Sequence, residues 1–221
     1  MSQILPIALQ VAIVLVCITI HEVSHGRVAR LLGDPTAQSM GRLSLNPLRH
    51  IDPFGTVILP LLLAISGLPP FGYAKPVPVD PRYFRDHRMG MFLTGIAGPI
   101  SNLLAASAGA IVFRVLGLTP SLASATIPSA LATYVLLLFV EINVVLAVFN
   151  MLPIPPMDGS RVLPLFLTDK GMYYYRQFER YGFVIILLIF LVPTLHNMVF
   201  SAIFAVINPI MTLLIGQGLT F

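Results

Sequence analysis

Between Cys17 and Gly33 the chain reads CITIHEVSHGRVARLLG, and at its centre stand His21, Glu22 and His25. On a helix, two histidines four residues apart project to one face. Their imidazoles could hold two corners of a tetrahedral zinc site. Glu22 follows His21 directly and precedes His25 by three residues, so its carboxylate would sit beside such a metal without competing for it. From there it could take a proton from a water activated by the metal and later hand it to a leaving amine. The chemistry in view is hydrolysis. The plainer reading, two histidines that happen to end a helix at a membrane surface, has little room in a chain with five histidines and three glutamates.

A catalytic zinc ordinarily takes three protein ligands and keeps a fourth position for water. Asp158, His50, Asp52, Glu141, His87 and His196 are the candidates for the third. Asp158 lies in NMLPIPPMDGSR, directly after a long apolar run. The prolines and Gly159 there would break a helix and let a carboxylate turn back, although Asp-Gly is equally an ordinary turn. His50, in the polar segment HIDP, is the next candidate, and could instead cap or line a cleft.

The elements that must position these groups are apolar. Of 221 residues 57% are hydrophobic and 10% charged, against about 25% charged in a soluble domain. An integral membrane protein follows, with no room for a soluble second domain. A net charge of +4, spread over several loops, gives no case for nucleic acid. Runs of about 20 apolar residues can cross the bilayer. The first begins at Ile4 and continues as a helix through His25 to Leu32, where Gly33-Asp34-Pro35 ends it. It lacks the basic start of a signal peptide and is expected to be retained. Thr36–Pro53 reads as a loop with a short strand at Gly41–Leu45. Phe54–Leu68 reaches only roughly 22 Å as a helix and carries Pro60, so a re-entrant hairpin is expected. Pro69–Pro81 is too rich in proline for helix and should be extended. Gly90–Leu116 and Pro128–Leu152 are full spans, and the block Phe183–Leu214, broken near Pro193, reads as two short spans. The basic residues cluster in the three polar loops, with only Arg114 elsewhere. The positive-inside rule places those loops in the cytoplasm.

HEVSH in an apolar helix, GPISN (Gly98–Asn102) in a later span and FNMLPIPPMDG (Phe149–Gly159) after another resemble the site-2 protease family of intramembrane zinc metalloproteases. Order and spacing match the compact bacterial and archaeal type that lacks a PDZ domain, over most of residues 15 to 165. The resemblance implies His21, His25 and Asp158 as ligands of one Zn2+ per chain, and Glu22 as the general base. It also implies that Asn150 supports the substrate or the oxyanion, where an amide donor counts for more in a dry site.

The expectation is therefore an all-α polytopic membrane protein with about five to six transmembrane or re-entrant helices and a three-helix catalytic core. One domain would span 1–221, with the core over about 4–165 and C-terminal helices over about 183–215. It would lie in the cell (inner or plasma) membrane with its site towards the cytoplasm, cleaving membrane proteins in or beside a transmembrane helix. A helical substrate must unwind to expose a peptide bond. The extended stretch Tyr73, Ala74, Lys75, Val77 and Val79 could pair with the unwound segment, with His50 nearby. A metal-ion transporter is the competing class, but the chain shows no two related halves. Cys17 reads as packing, Asn102 as a tie between helices, Glu141 as protonated or else paired with Asn143 or a polar group on another helix, and His87 and His196 as solvated.

Overall fold

The structure, a computed structural model, describes residues 4–66, 72–119 and 127–216. Its α-helices among those residues are α1 (Ile4–Leu31), α2 (Thr36–Ser39), α3 (Leu59–Ile65), α4 (His87–Val115), α5 (Ile127–Asn150), α6 (Asp169–Arg180), α7 (Gly182–Leu191) and α8 (Pro193–Ile215). In α1 no glycine or proline interrupts the run from Ile7 to His25. Gly33, at φ 106°, ends it in the left-handed conformation that glycine adopts freely. Asp86 caps α4 by accepting from the Arg88 and Met89 amides. Four helices, α1, α4, α5 and α8, are long and apolar enough to cross a membrane.

Hydrogen bonds fix their directions. His25 of α1 meets Thr94 of α4, and one turn earlier on α1 His21 meets Asn102, later on α4, so the two helices run antiparallel. Asn143 of α5 reaches the same level at Cys17, and α5 ends near the His25 end of the bundle. Arg114, at the far end of α4, donates to the Leu213 and Leu214 carbonyls at the end of α8. Ala106, Ala110 and Phe113 of α4 pack with Val140 and Val144 of α5 and Ile207 and Met211 of α8 to form the core. Between apolar helices in lipid, close approach by small residues replaces the hydrophobic drive. Gly109 illustrates it, since a Cβ there would stand 2.9 Å from the Phe139 ring.

Two of these expectations are corrected and a third gains detail. No strand forms at Gly41–Leu45; that segment is a turn followed by extended chain without a ladder. The C-terminal block does break at Pro193, but into unequal parts: α7 has 10 residues, and only α8 is long enough to span. The segment after Asp52 forms a π-helical turn over Pro53–Ile58 and then α3, much too short to cross. It leaves and returns at one place, because the Tyr73 amide donates to the Gly55 carbonyl and Thr56 Oγ1 donates to the Tyr73 carbonyl. Residues 67–71, and 120–126 between the two expected spans Gly90–Leu116 and Pro128–Leu152, lie outside the described residues.

Candidate metal centre and cleft

α1 places His21 and His25 on the face turned to α4, where both are buried. They fit because α4 carries Gly98 opposite them: a Cβ there would stand 2.5 Å from His21 Cε1 and from His25 Nε2. Beyond α5 the turn Pro153–Met157, which includes a cis Pro155–Pro156 bond, brings Asp158 back into the bundle at the start of a 3-10 helix over Asp158–Leu165. Gly159 permits this return, since any Cβ would fall 2.2 Å from the Met151 carbonyl oxygen. Asp158 Oδ2 then lies 2.9 Å from His21 Nε2 and 3.1 Å from His25 Nε2.

The protons decide what this cluster can hold. A carbonyl oxygen only accepts, so His25 Nδ1 must carry the hydrogen it donates to the Thr94 carbonyl at 2.6 Å. His21 Nδ1 lies 2.6 Å from Asn102 Oδ1. The Asn102 amide is oriented by its own nitrogen, which donates to the Cys17 carbonyl at 3.2 Å and to Asn143 Oδ1 at 2.7 Å. Asn143 in turn donates to the Phe139 carbonyl and to Cys17 Sγ. With both Nδ1 protons spent in this way, two neutral imidazoles present only Nε2 lone pairs. Asp158 Oδ2, within about 3 Å of both Nε2 atoms, adds a carboxylate oxygen as the third donor. Three acceptors within 4.8 Å of one another fit a cation of tetrahedral N/O preference.

Of the six third-ligand candidates, Asp158 alone joins this group among the described residues. His50 is buried elsewhere and donates from Nε2 to the Ser44 carbonyl. Asp52 caps the π-helical turn. Glu141 lies part-way along α5, and its expected partner Asn143 turns instead to Asn102 and Cys17. His87 is exposed at the start of α4. His196 is stacked on Phe200 at 4.2 Å, half-buried and not solvated as expected. Cys17 is buried and takes no part in the donor group.

A cavity of about 340 Å³ opens beside the donors and includes Glu22, Asn150, Arg161, Tyr73, Ala74 and Val77. Lys75, Val79 and His50 do not line it. They hold the extended stretch from behind: the Lys75 amide donates to the His50 carbonyl, and the Asp80 amide after Val79 donates to buried Asp34. Arg42 donates to the Lys75 carbonyl at 2.7 Å and also to the Arg49 carbonyl. At the centre of the stretch the Val77 amide donates to Glu22 Oε2 at 2.8 Å. Asn150 keeps one amide hydrogen on the Leu146 carbonyl of its own helix. Arg161 Nη1 stands 3.7 Å from Asp158 Oδ1, its stem against Gly95. The residue pattern alone missed Thr94, Arg161 and the orienting part of Asn102. For Asn102 and Asn143 the usable signal was an amide side chain in the middle of an apolar span.

Membrane-spanning helices that bury two histidines and an aspartate around one point, with a glutamate alongside, define the class of membrane-embedded metal-dependent hydrolases. Residues 117–193 match Peptidase family M50. Over 179 residues the chain is 37% identical to "Putative zinc metalloprotease YwhC" of Bacillus subtilis, covering 81% of this chain and 78% of that protein. It is 28% identical over 197 residues to "Putative zinc metalloprotease Rip2" of Mycolicibacterium smegmatis, and 29% identical over 191 residues to the protein of that name from Mycobacterium tuberculosis; both alignments cover 86% of this chain and 69% of the relative. No solved structure matches significantly. The chain belongs to peptidase family M50, the site-2 proteases. It is an intramembrane metalloprotease acting on membrane proteins, and ion transport is not favoured. Membership implies zinc, which the donor set accommodates.

Proposed function

We propose that His21, His25 and Asp158 hold the zinc and that Glu22 is the general base for cleavage of a membrane protein in or beside a transmembrane helix. The observation that carries this reading is the convergence of three acceptors whose remaining protons are already committed to Thr94 and Asn102. Zinc bound there supplies a Lewis acid for the scissile carbonyl and acidifies the attacking water. Glu22 faces the same cavity, takes the proton from that water and delivers it to the leaving nitrogen. To do so its carboxylate must leave or share the Val77 amide. Asn150 has a second amide hydrogen, without a partner among the described residues, to donate to the carbonyl oxygen as negative charge develops there. Tyr73, Ala74 and Val77 line the space that an unwound substrate would occupy, while Lys75, Val79 and His50 support it from outside the cavity.

The stretch offers an unequal edge to that substrate. Its amides at 73, 75 and 77 are bonded to Gly55, His50 and Glu22. On the opposite edge Pro76 and Pro78 have no amide hydrogen. A paired substrate strand would therefore donate to carbonyls at Ala74 and Pro78, while the Pro76 carbonyl already accepts from Arg42, and would receive little in return.

The basic residues of the three loops all lie on segments at the His25 end of the bundle, and Arg114 lies at the other end. This asymmetry supports a cell membrane location with the cleft opening to the cytoplasm, where water is available. Residues 1–221 act as one domain, with the catalytic core over about 4–165.

The Glu22→Gln variant tests the assignment. It retains zinc, because no ligand changes, and loses cleavage of a model membrane substrate by at least about a hundredfold, the range of general-base catalysis. Cleavage at the wild-type rate by a zinc-loaded variant would remove Glu22 from the chemistry.

A further inference from the structure

After the Asp158 turn the chain enters α6, DKGMYYYRQFER, which is too polar to cross a membrane. It is fastened to the bundle end. The Tyr175 hydroxyl, buried, donates to the Ser160 carbonyl at 2.8 Å, and burial pushes its phenol up from the ordinary value. Arg88 of α4 donates to the Leu167 carbonyl and pairs with Asp169 at 2.9 Å. Between the start of α4 and α6 lies a cavity of about 900 Å³, the larger of the two that Arg161 lines.

Its charge is unbalanced. Arg88, Arg161, Arg176 and Arg180 face two carboxylates, Asp169 and Glu179. Arg88 is taken by Asp169, and no carboxylate lies within ion-pair distance of Arg176 or Arg180 among the described residues. Tyr173 lines this opening and is 62% exposed, its ring against that of Tyr174, 61% exposed, with exposed Phe166 and Tyr181 near them in sequence. Tyrosines of this kind settle at the membrane–water boundary, and the cavity opens at the level where α4 leaves the bundle.

We propose that this cavity binds the phosphate headgroup of an anionic phospholipid. Guanidinium forks match phosphate oxygens in pairs, and basic pockets at the end of a helical bundle are suited to lipid headgroups. The volume exceeds that of a bare phosphate and leaves space for the glycerol, while the aromatic rim flanks the acyl chains. The site adjoins the metal centre through Arg161, which lines this cavity and also stands 3.7 Å from Asp158 Oδ1.

The test uses the purified full chain, incubated with equal phosphatidylglycerol and phosphatidylcholine in detergent, re-purified, and assayed for retained lipid by mass spectrometry. The wild type retains phosphatidylglycerol over phosphatidylcholine. Arg176→Gln and Arg180→Gln each weaken that retention by roughly fivefold, the worth of one arginine at a membrane surface. Arg27→Gln and Arg30→Gln, equally basic positions at the end of α1, leave it unchanged. Zinc content identical to wild type certifies the fold of each variant, and each single change removes an exposed side chain without touching the bundle contacts. Equal retention of both lipids by the wild type overturns the proposal. So does undiminished retention in the Arg176 and Arg180 variants, or an equal loss in the Arg27 and Arg30 variants. Inorganic phosphate alone examines the other source of the same chemistry: if it binds as tightly as the lipid and displaces it, the site serves a soluble anion and the lipid assignment falls.

Discussion

A histidine offers a lone pair to a metal only when its other nitrogen has somewhere to place a proton. For His25 that place is the Thr94 carbonyl, and for His21 it is the oxygen of Asn102. Asn102 therefore does two things at once. Its nitrogen ties α4 to α1 and α5, and its oxygen fixes the tautomer of His21, a ligand in the proposed site. Asn102→Leu keeps the volume and removes the acceptor, so His21 loses its orientation and its proton acceptor. Zinc affinity, measured by competition with a chromophoric chelator, falls by about 10–100-fold, the usual effect of losing such a partner. Cleavage returns when zinc is raised to saturation. A variant with wild-type zinc affinity would show that the amide serves helix packing alone. The sequence made the tie between helices readable, because an amide in an apolar span needs a partner. It did not make the ligand role readable, because nothing in GPISN records that the partner is His21, across 81 residues.

Among the elements, the extended stretch over residues 72–80 has the least structure of its own and the most consequence for the cleft. Proline density made its extended form legible in the sequence. Its position against Glu22 was not legible, since that depends on Asp34, Arg42 and His50 holding it from three separate loops. Val77 and Val79 look alike in sequence and differ in place. The Val77 amide donates to Glu22, and Val77 is 7% exposed; Val79 lies outside the cavity. Val77→Pro removes the donor that positions Glu22, the proposed base, and cleavage falls by about tenfold or more, the scale of a lost hydrogen bond to a charged group. Zinc content stays intact. Val79→Pro, which removes an amide with no partner among the described residues, changes cleavage little. Equal rates in both variants would make the Glu22 contact incidental to catalysis. The same reasoning explains the two helices after Gly182. Pro193 announced a break, but the length of each half depended on Gly182 packing against the Pro155 carbonyl, which starts α7 where it does.

At the scale of the whole molecule the helices were readable because each is an apolar run of membrane length. Their arrangement was not, because apolar surfaces in lipid have no preferred partner beyond fit and polar ties. The polar ties here are concentrated at one level, where Cys17, His21, His25, Thr94, Asn102, Asn143 and Asp158 join α1, α4, α5 and the turn beyond it. A metal held by His21, His25 and Asp158, as proposed, is thus a cross-link between α1 and the turn beyond α5 as well as a reagent. Without it, two lone pairs and a carboxylate face one another with no shared counter-charge. Binding of zinc to the folded form alone adds about 4 kcal/mol of stability when free zinc is a thousand times its dissociation constant. Chelation should then lower the midpoint of thermal unfolding in detergent by roughly 8–16 °C for a chain of this size. Asp158→Ala, which removes one of the three donors, starts from the lower midpoint and shifts little on chelation. The Glu22→Gln protein behaves as wild type, because its carboxylate is beside the donor group and not in it. A wild-type midpoint unmoved by chelation would mean that the polar tie among the helices stands without the metal, and that zinc is reagent only.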